Sequence, residues 1–147
     1  MNEVQDLQRV ETPAAALTLT RSATLAITTA GTIITWQTET RNNGFTWSGT
    51  DITIPTAGYY TIDLAIATNA APTMNFQRVV NGVLIGSFSY TPGTTNYFGA
   101  TGTHYYATGT TLAIRLVPNA GVTITVAAEN VLTESPILHI VQLTGAV

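Results

Sequence analysis

The chain has 147 residues, which is one domain's worth: long enough for a core and too short for two. Apolar residues make up 45% and charged residues only 9%, against about 25% in an average soluble domain. That balance excludes a disordered chain, and a net charge of −3 with no lysine excludes a basic nucleic-acid binder. The 29 threonines, with the other β-branched residues, argue against a helical bundle.

The absence of cysteine removes disulfides, thiol nucleophiles and thiolate metal sites. Met1–Val10 carries early acids and no apolar core, so it does not read as a secretory leader. No run approaches the roughly 18 apolar residues of a membrane span, so no membrane insertion is expected. Synthesis in a cytoplasm fits these features.

Residues 1–13 differ from the rest and are expected to form an N-terminal arm, with residues 14–147 as the single domain. The arm holds four of the thirteen charged residues, Glu3, Asp6, Arg9 and Glu11. Val4, Leu7 and Val10 recur at three-residue spacing, and Thr12-Pro13 ends the segment. A frayed tail is the plain reading. An anchoring arm that orders on a partner, through Val4, Leu7, Arg9 and Val10, is the sharper one.

From Ala14 the pattern becomes short strands and turns. Leu17 and Leu19 alternate with threonines, and Thr32–Glu39 reads as one continuous strand carrying Ile34 and Trp36 on one side. Asn42-Asn43-Gly44 signals a turn, and Phe45–Trp47 and Asp51–Ile54 follow as short strands. Tyr59–Thr68 alternates most clearly, with Tyr60, Ile62, Leu64 and Ile66 on one face. Asn81-Gly82 between two apolar runs has the chemistry of a type I′ hairpin. Leu112, Ile114 and Leu116 share a face, as do Val122, Ile124 and Val126, and Ile137–Leu143 closes the domain. Nine or ten strands at this spacing are the signature of an all-β sandwich or barrel. No long segment has a helical period, which rules out a βαβ nucleotide fold.

The residues Ile34, Thr40, Phe45, Ile52, Gly58, Tyr60, Ile62 and Leu64 fall at the spacing of the C1q/TNF-like signature. Phe45, Gly58 and Tyr60 match it by residue type, the four aliphatic positions by apolar character, and Thr40 departs from it. The later segments FQRVVNGVLIG, TGTTLAIRLV and ILHIVQL resemble the family's later strands. The chain therefore resembles a C1q/TNF-like jelly roll, closest to the Thr-rich versions in phage and bacterial surface proteins. That resemblance implies a jelly-roll β-sandwich that assembles as a homotrimer. In phages it implies a virion component.

Physical reasoning points to an oligomer as well, since so apolar and uncharged a surface needs a partner to cover it. Tyr59 faces opposite to Tyr60, and Tyr105 opposite to Tyr106, so one of each pair should leave the core. Tyr59 and one of Tyr105 and Tyr106 are expected at the subunit interface. His139 alternates with Leu138 and Ile140. Buried near a three-fold axis, it would meet two further copies, where pH or a metal would matter.

Catalytic constellations are scarce, and no catalytic residue, metal site or cofactor is expected. Neither His104 nor His139 has a histidine at metal-motif spacing. The serines lack the Gly-x-Ser-x-Gly elbow, and Gly99–Gly102 lacks the lysine and helix of a phosphate loop. Asp63 sits mid-strand among apolar neighbours and is expected to pair with Arg78 or Arg115. Thr91–His104 reads as a long exposed loop, in which Asn96, Tyr97, Phe98 and His104 are candidate contacts for a glycan or receptor.

The function expected is therefore structural. The chain reads as a capsid decoration protein on the surface of a phage particle, bound to the major capsid protein or another virion protein. The alternative is a tip module of a tail or head fibre that binds a host glycan or receptor.

Overall fold

The computed structural model describes residues 14–90, 97–125 and 136–143, without the side chains of 88–90 and 97. Its strands run in chain order as β1 (Ala16–Thr20), β2 (Leu25–Ile27), β3 (Thr32–Ile33), β4 (Thr38–Asn43), β5 (Thr46–Ser48), β6 (Asp51–Thr53) and β7 (Gly58–Ala67). There follow β8 (Met74–Val80), β9 (Val83–Tyr90), β10 (Tyr97–Tyr106), β11 (Thr111–Pro118), β12 (Val122–Ile124) and β13 (Ile137–Gln142). No helix occurs among the described residues.

Two antiparallel sheets carry the fold. One is ordered β10-β7-β13-β1-β4, the other β5-β6-β11-β8-β9, with β3 added on β11. A small β12-β2 ribbon completes it. The chain crosses repeatedly between the sheets, so β7 lies in the first, β8 and β9 in the second, β10 in the first and β11 in the second. This weave is the jelly roll that the C1q/TNF-like resemblance implies, although the strands are shorter and more numerous.

The core is built by period-two alternation. Tyr60, Ile62, Leu64 and Ile66 of β7 all point inward, joined by Leu17, Leu19, Leu138 and Ile140 from the same sheet. They meet Ile52, Met74, Phe76, Leu112, Ile114 and Leu116 from the other sheet. Phe45 packs edge-on to Tyr60, with ring centroids 5.9 Å apart. The Tyr60 hydroxyl, deep in this core, donates to the Thr56 carbonyl at 2.6 Å. Tyr60→Phe removes that bond and leaves the carbonyl unpaired, so chemical denaturation should show a loss of about 1 kcal/mol. An unchanged midpoint would mean that the carbonyl finds another partner.

Two local expectations need correction. Thr32–Glu39 is not one strand, because the chain changes sheets inside it: Thr32 and Ile33 pair with β11, and Thr38 and Glu39 pair with β1. Between them, Ile34 N–H reaches the Ile114 carbonyl at 2.9 Å and Gln37 N–H the Thr20 carbonyl at 3.1 Å. Ile34 and Trp36 are buried, as their alternation predicts. The second correction concerns 97–104, which form most of β10, paired residue for residue with β7. Asn81-Gly82 behaves as expected: φ is +50° at Asn81 and +78° at Gly82, the left-handed pair that a type I′ turn requires.

Candidate functional site

The outer face of the five-stranded sheet, turned away from the core, is the first candidate surface. Tyr59 and Tyr105 are register partners across β7 and β10. Their rings meet edge-to-face with centroids 5.4 Å apart, yet they stay 59% and 58% exposed. Val141 on β13 and Leu143 just beyond it, both exposed, lie on the same face, and Leu143 N–H bonds the Tyr59 carbonyl at 2.8 Å. Further along the sheet a polar row crosses the strands. Thr101, Asp63, His139, Thr18 and Arg41 are successive register partners. Thr18 Oγ1 shares a 2.9 Å hydrogen bond with His139 Nδ1. One tyrosine of each pair thus stands outside. Tyr60 and Tyr106 are the inner members, so Tyr106 does not belong to this face.

Asp63 lies in this polar row, exposed, with no arginine against it among the described residues. Arg78 and Arg115 belong to the other sheet, where Arg78 donates to the Tyr106 hydroxyl at 2.8 Å and Arg115 to Gln77 Oε1 at 2.7 Å. The expected pairing fails because Asp63 faces away from the sheet that carries both cations.

The second candidate surface is the edge between the sheets, where β10 faces β8 and β9. A cleft of about 300 Å³ opens there, floored by Ile62, Leu64, Phe76 and Ile114 and lined at its mouth by Arg78 and His104. His104 is half-buried on the inner side of β10, not on a loop. Phe98, also expected on a loop, is buried in the core beside Phe76, with ring centroids 6.4 Å apart. In β10, Phe98, Ala100, Gly102, His104 and Tyr106 share the inner side. Asn96 and the side chain of Tyr97 lie outside the described residues, as do Val4, Leu7, Arg9 and Val10 of the arm.

Burial and the nearby Arg78 charge hold the His104 imidazole below its usual 6.5. The unfolded chain therefore binds more protons than the folded one between that lowered value and 6.5. Stability is then lost as pH falls through this window. The melting temperature of wild type should drop more than that of His104→Gln between about pH 7.5 and pH 5. Parallel curves would contradict this.

His104 and His139 sit on opposite sides of the first sheet, so they form no joint site. Among the described residues no three His, Asp or Glu side chains gather to hold a metal. Glu39 accepts from Trp47 Nε1 at 2.6 Å and from Asn42 Nδ2 at 2.9 Å, which ties it into the turn before β5. The residues that sequence reasoning missed are Arg21, treated below, and Arg78 as a cleft residue. For Arg78 a signal existed, since it falls two positions after Phe76 and so on the inner face.

No protein-family model matches the sequence, and no curated protein matches it significantly. Solved structures do match in fold. Murine APRIL at pH 5.0 superposes with a TM-score of 0.65 at 14% identity, covering 88% of this chain and 99% of that one. The Eiger TNF structure from S. frugiperda gives 0.63 at 12% identity, over 92% and 96% of the two chains. The globular domain of zebrafish complement 1qA gives 0.56 at 10% identity, over 88% and 95%. The chain is thus an all-β jelly roll. Its architecture is that of the C1q/TNF-like domains.

Proposed function

We propose that the chain is a non-enzymatic structural protein of a bacteriophage virion, a homotrimer that decorates the capsid and is held there by residues 1–13. The observation that carries the trimer is the outer face of the five-stranded sheet. It presents Tyr59, Tyr105, Val141 and Leu143 to solvent, and the sequence supplies few charges to keep copies apart. The fold likeness to C1q and TNF domains supports the same reading. The virion role is supported by the uneven charge, with a charge-poor body for self-association and a charged arm for attachment.

The test has two arms. Analytical ultracentrifugation should find three chains per particle at micromolar concentration. The purified protein should bind phage capsids, and deletion of residues 1–13 should abolish that binding while leaving the trimer intact. Binding to host cells that survives deletion of the arm would replace the decoration reading with the fibre-tip one. A monomer would overturn the assembly itself.

A further inference from the structure

The cleft between the sheet edges has a chemistry that neither the core nor the outer face explains. Arg78 points inward from β8 across to the first sheet, where its Nη1 donates to the Tyr106 hydroxyl at 2.8 Å. Burial pushes the Tyr106 phenol up, so this partner is neutral near pH 7 and does not itself compensate the guanidinium charge. Among the described residues no acid lines the cleft.

The backbone is shaped around this cation. The register of β8 against β9 slips between Gln77 and Arg78, which makes Gly86 the extra residue of a bulge. Gly86 has φ +68°, and a Cβ there would stand 3.3 Å from Arg78 Nη2. The bulge thus lets the guanidinium lie against bare backbone at the cleft mouth. Below it the floor is aliphatic and aromatic: Ile62, Leu64, Phe76 and Ile114.

A forked cation above an apolar floor matches one chemistry, a carboxylate on a small apolar body. We propose that this cleft binds a small amphiphilic carboxylate, its head group on Arg78 and its chain against Ile62, Leu64, Phe76 and Ile114. The volume, about 300 Å³, lies at the small end of ligand pockets, which run about 300–1,000 Å³, and so selects short chains. Both halves of the ligand matter. The charge satisfies a cation held against a neutral phenol, and the chain removes apolar surface from water.

Octanoate is the probe, titrated into the full chain by calorimetry and followed by NMR shifts. Octanol supplies the same chain without the charge, and acetate the charge without the chain. Octanoate should bind with a submillimolar Kd, and both controls should bind at least about tenfold more weakly, a difference of about 1.4 kcal/mol. Arg78→Gln should weaken octanoate by a similar factor. Ala100→Leu, which fills the cleft from β10 and leaves Arg78 in place, should abolish binding without lowering the melting temperature. The proposal is overturned if octanol binds as well as octanoate, if octanoate does not bind, or if its shifts map to the outer face. It is equally overturned if Arg78→Gln alters the sedimentation of the chain but not octanoate binding, since an acid of a second copy is then the partner. Should Arg78→Gln not fold, Ala100→Leu decides: octanoate binding retained in that variant rejects the cleft.

Discussion

Arg21→Ala is expected to lower stability by about 3–5 kcal/mol and the melting temperature by roughly 10 °C or more. Arg21 is 6% exposed, and burial lowers its pKa, although an arginine remains charged at any ordinary pH. It has oxygens instead of a carboxylate around it. Nε donates to the Ala23 carbonyl at 3.1 Å and Nη2 to the Thr24 carbonyl at 3.2 Å. Nη1 donates to the carbonyl and hydroxyl of Thr35. The guanidinium therefore ties the turn after β1 to the stretch where the chain changes sheets. Gln37 reinforces the junction from the far side, its Oε1 accepting from Ser22 and Ala23 N–H at 2.9 and 3.0 Å.

Truncation takes the charged donor away from the carbonyls of Ala23, Thr24 and Thr35, and bonds to a charged group contribute more than neutral ones. Arg21→Met separates this from packing, because it restores apolar volume without donors. Thermal unfolding should rank wild type above Arg21→Lys, and Arg21→Lys above Arg21→Met and Arg21→Ala together. An Arg21→Met protein that melts like wild type would show that the fork contributes volume only.

Arg21 also marks the limit of what the sequence discloses. Alternation exposed the inner faces of β7, β11 and β13, because each strand has one wet and one dry side and period two is visible locally. Asn81-Gly82 was legible because its dihedral angles demand those residues. The crossing inside Thr32–Glu39 was not, since Ile34 and Trp36 keep alternating while the hydrogen-bond partner changes from β11 to β1. Nothing near Arg21 announces that the acceptors for its charge lie at Thr35.

The candidate surfaces divide the same way. Tyr59 and Tyr105 could be assigned outward because their neighbours, Tyr60 and Tyr106, compete for the interior. Residues 97–104 misled because glycine and threonine resemble loop composition. The glycines instead sit within a fully paired strand, where Ala100 and Gly102 line the cleft without bulky side chains. Asp63 misled because apolar neighbours suggest cover, whereas its register partners, Thr101 and His139, place it on the outer face.

Tyr59→Arg combined with Tyr105→Arg is expected to convert the proposed trimer to a monomer at micromolar concentration. Exposed aromatics on a charge-poor face are what an interface uses as anchors, and truncating such anchors commonly costs about 2–4 kcal/mol apiece. Arginine does more than truncate. It places two cations on the face of every copy, and the only acid in its polar row is Asp63. Repulsion and the cost of burying unpaired charge then act together in the assembled state.

The fold itself should survive, because both side chains are more than half exposed in one chain. The isolated domain loses only their mutual edge-to-face contact, worth about 0.5–1.5 kcal/mol. Circular dichroism should accordingly remain that of a β protein while the sedimenting mass falls to that of one chain. Tyr59→Phe with Tyr105→Phe keeps the rings and should keep the assembly. If the double arginine variant still sediments as a trimer, the aromatic face is not the interface, and the sheet edges carrying Arg78 and His104 become the surface to test for self-association. If wild type is already monomeric, the proposed trimer falls, and a pull-down with phage capsids then tests whether a second protein covers the exposed tyrosines.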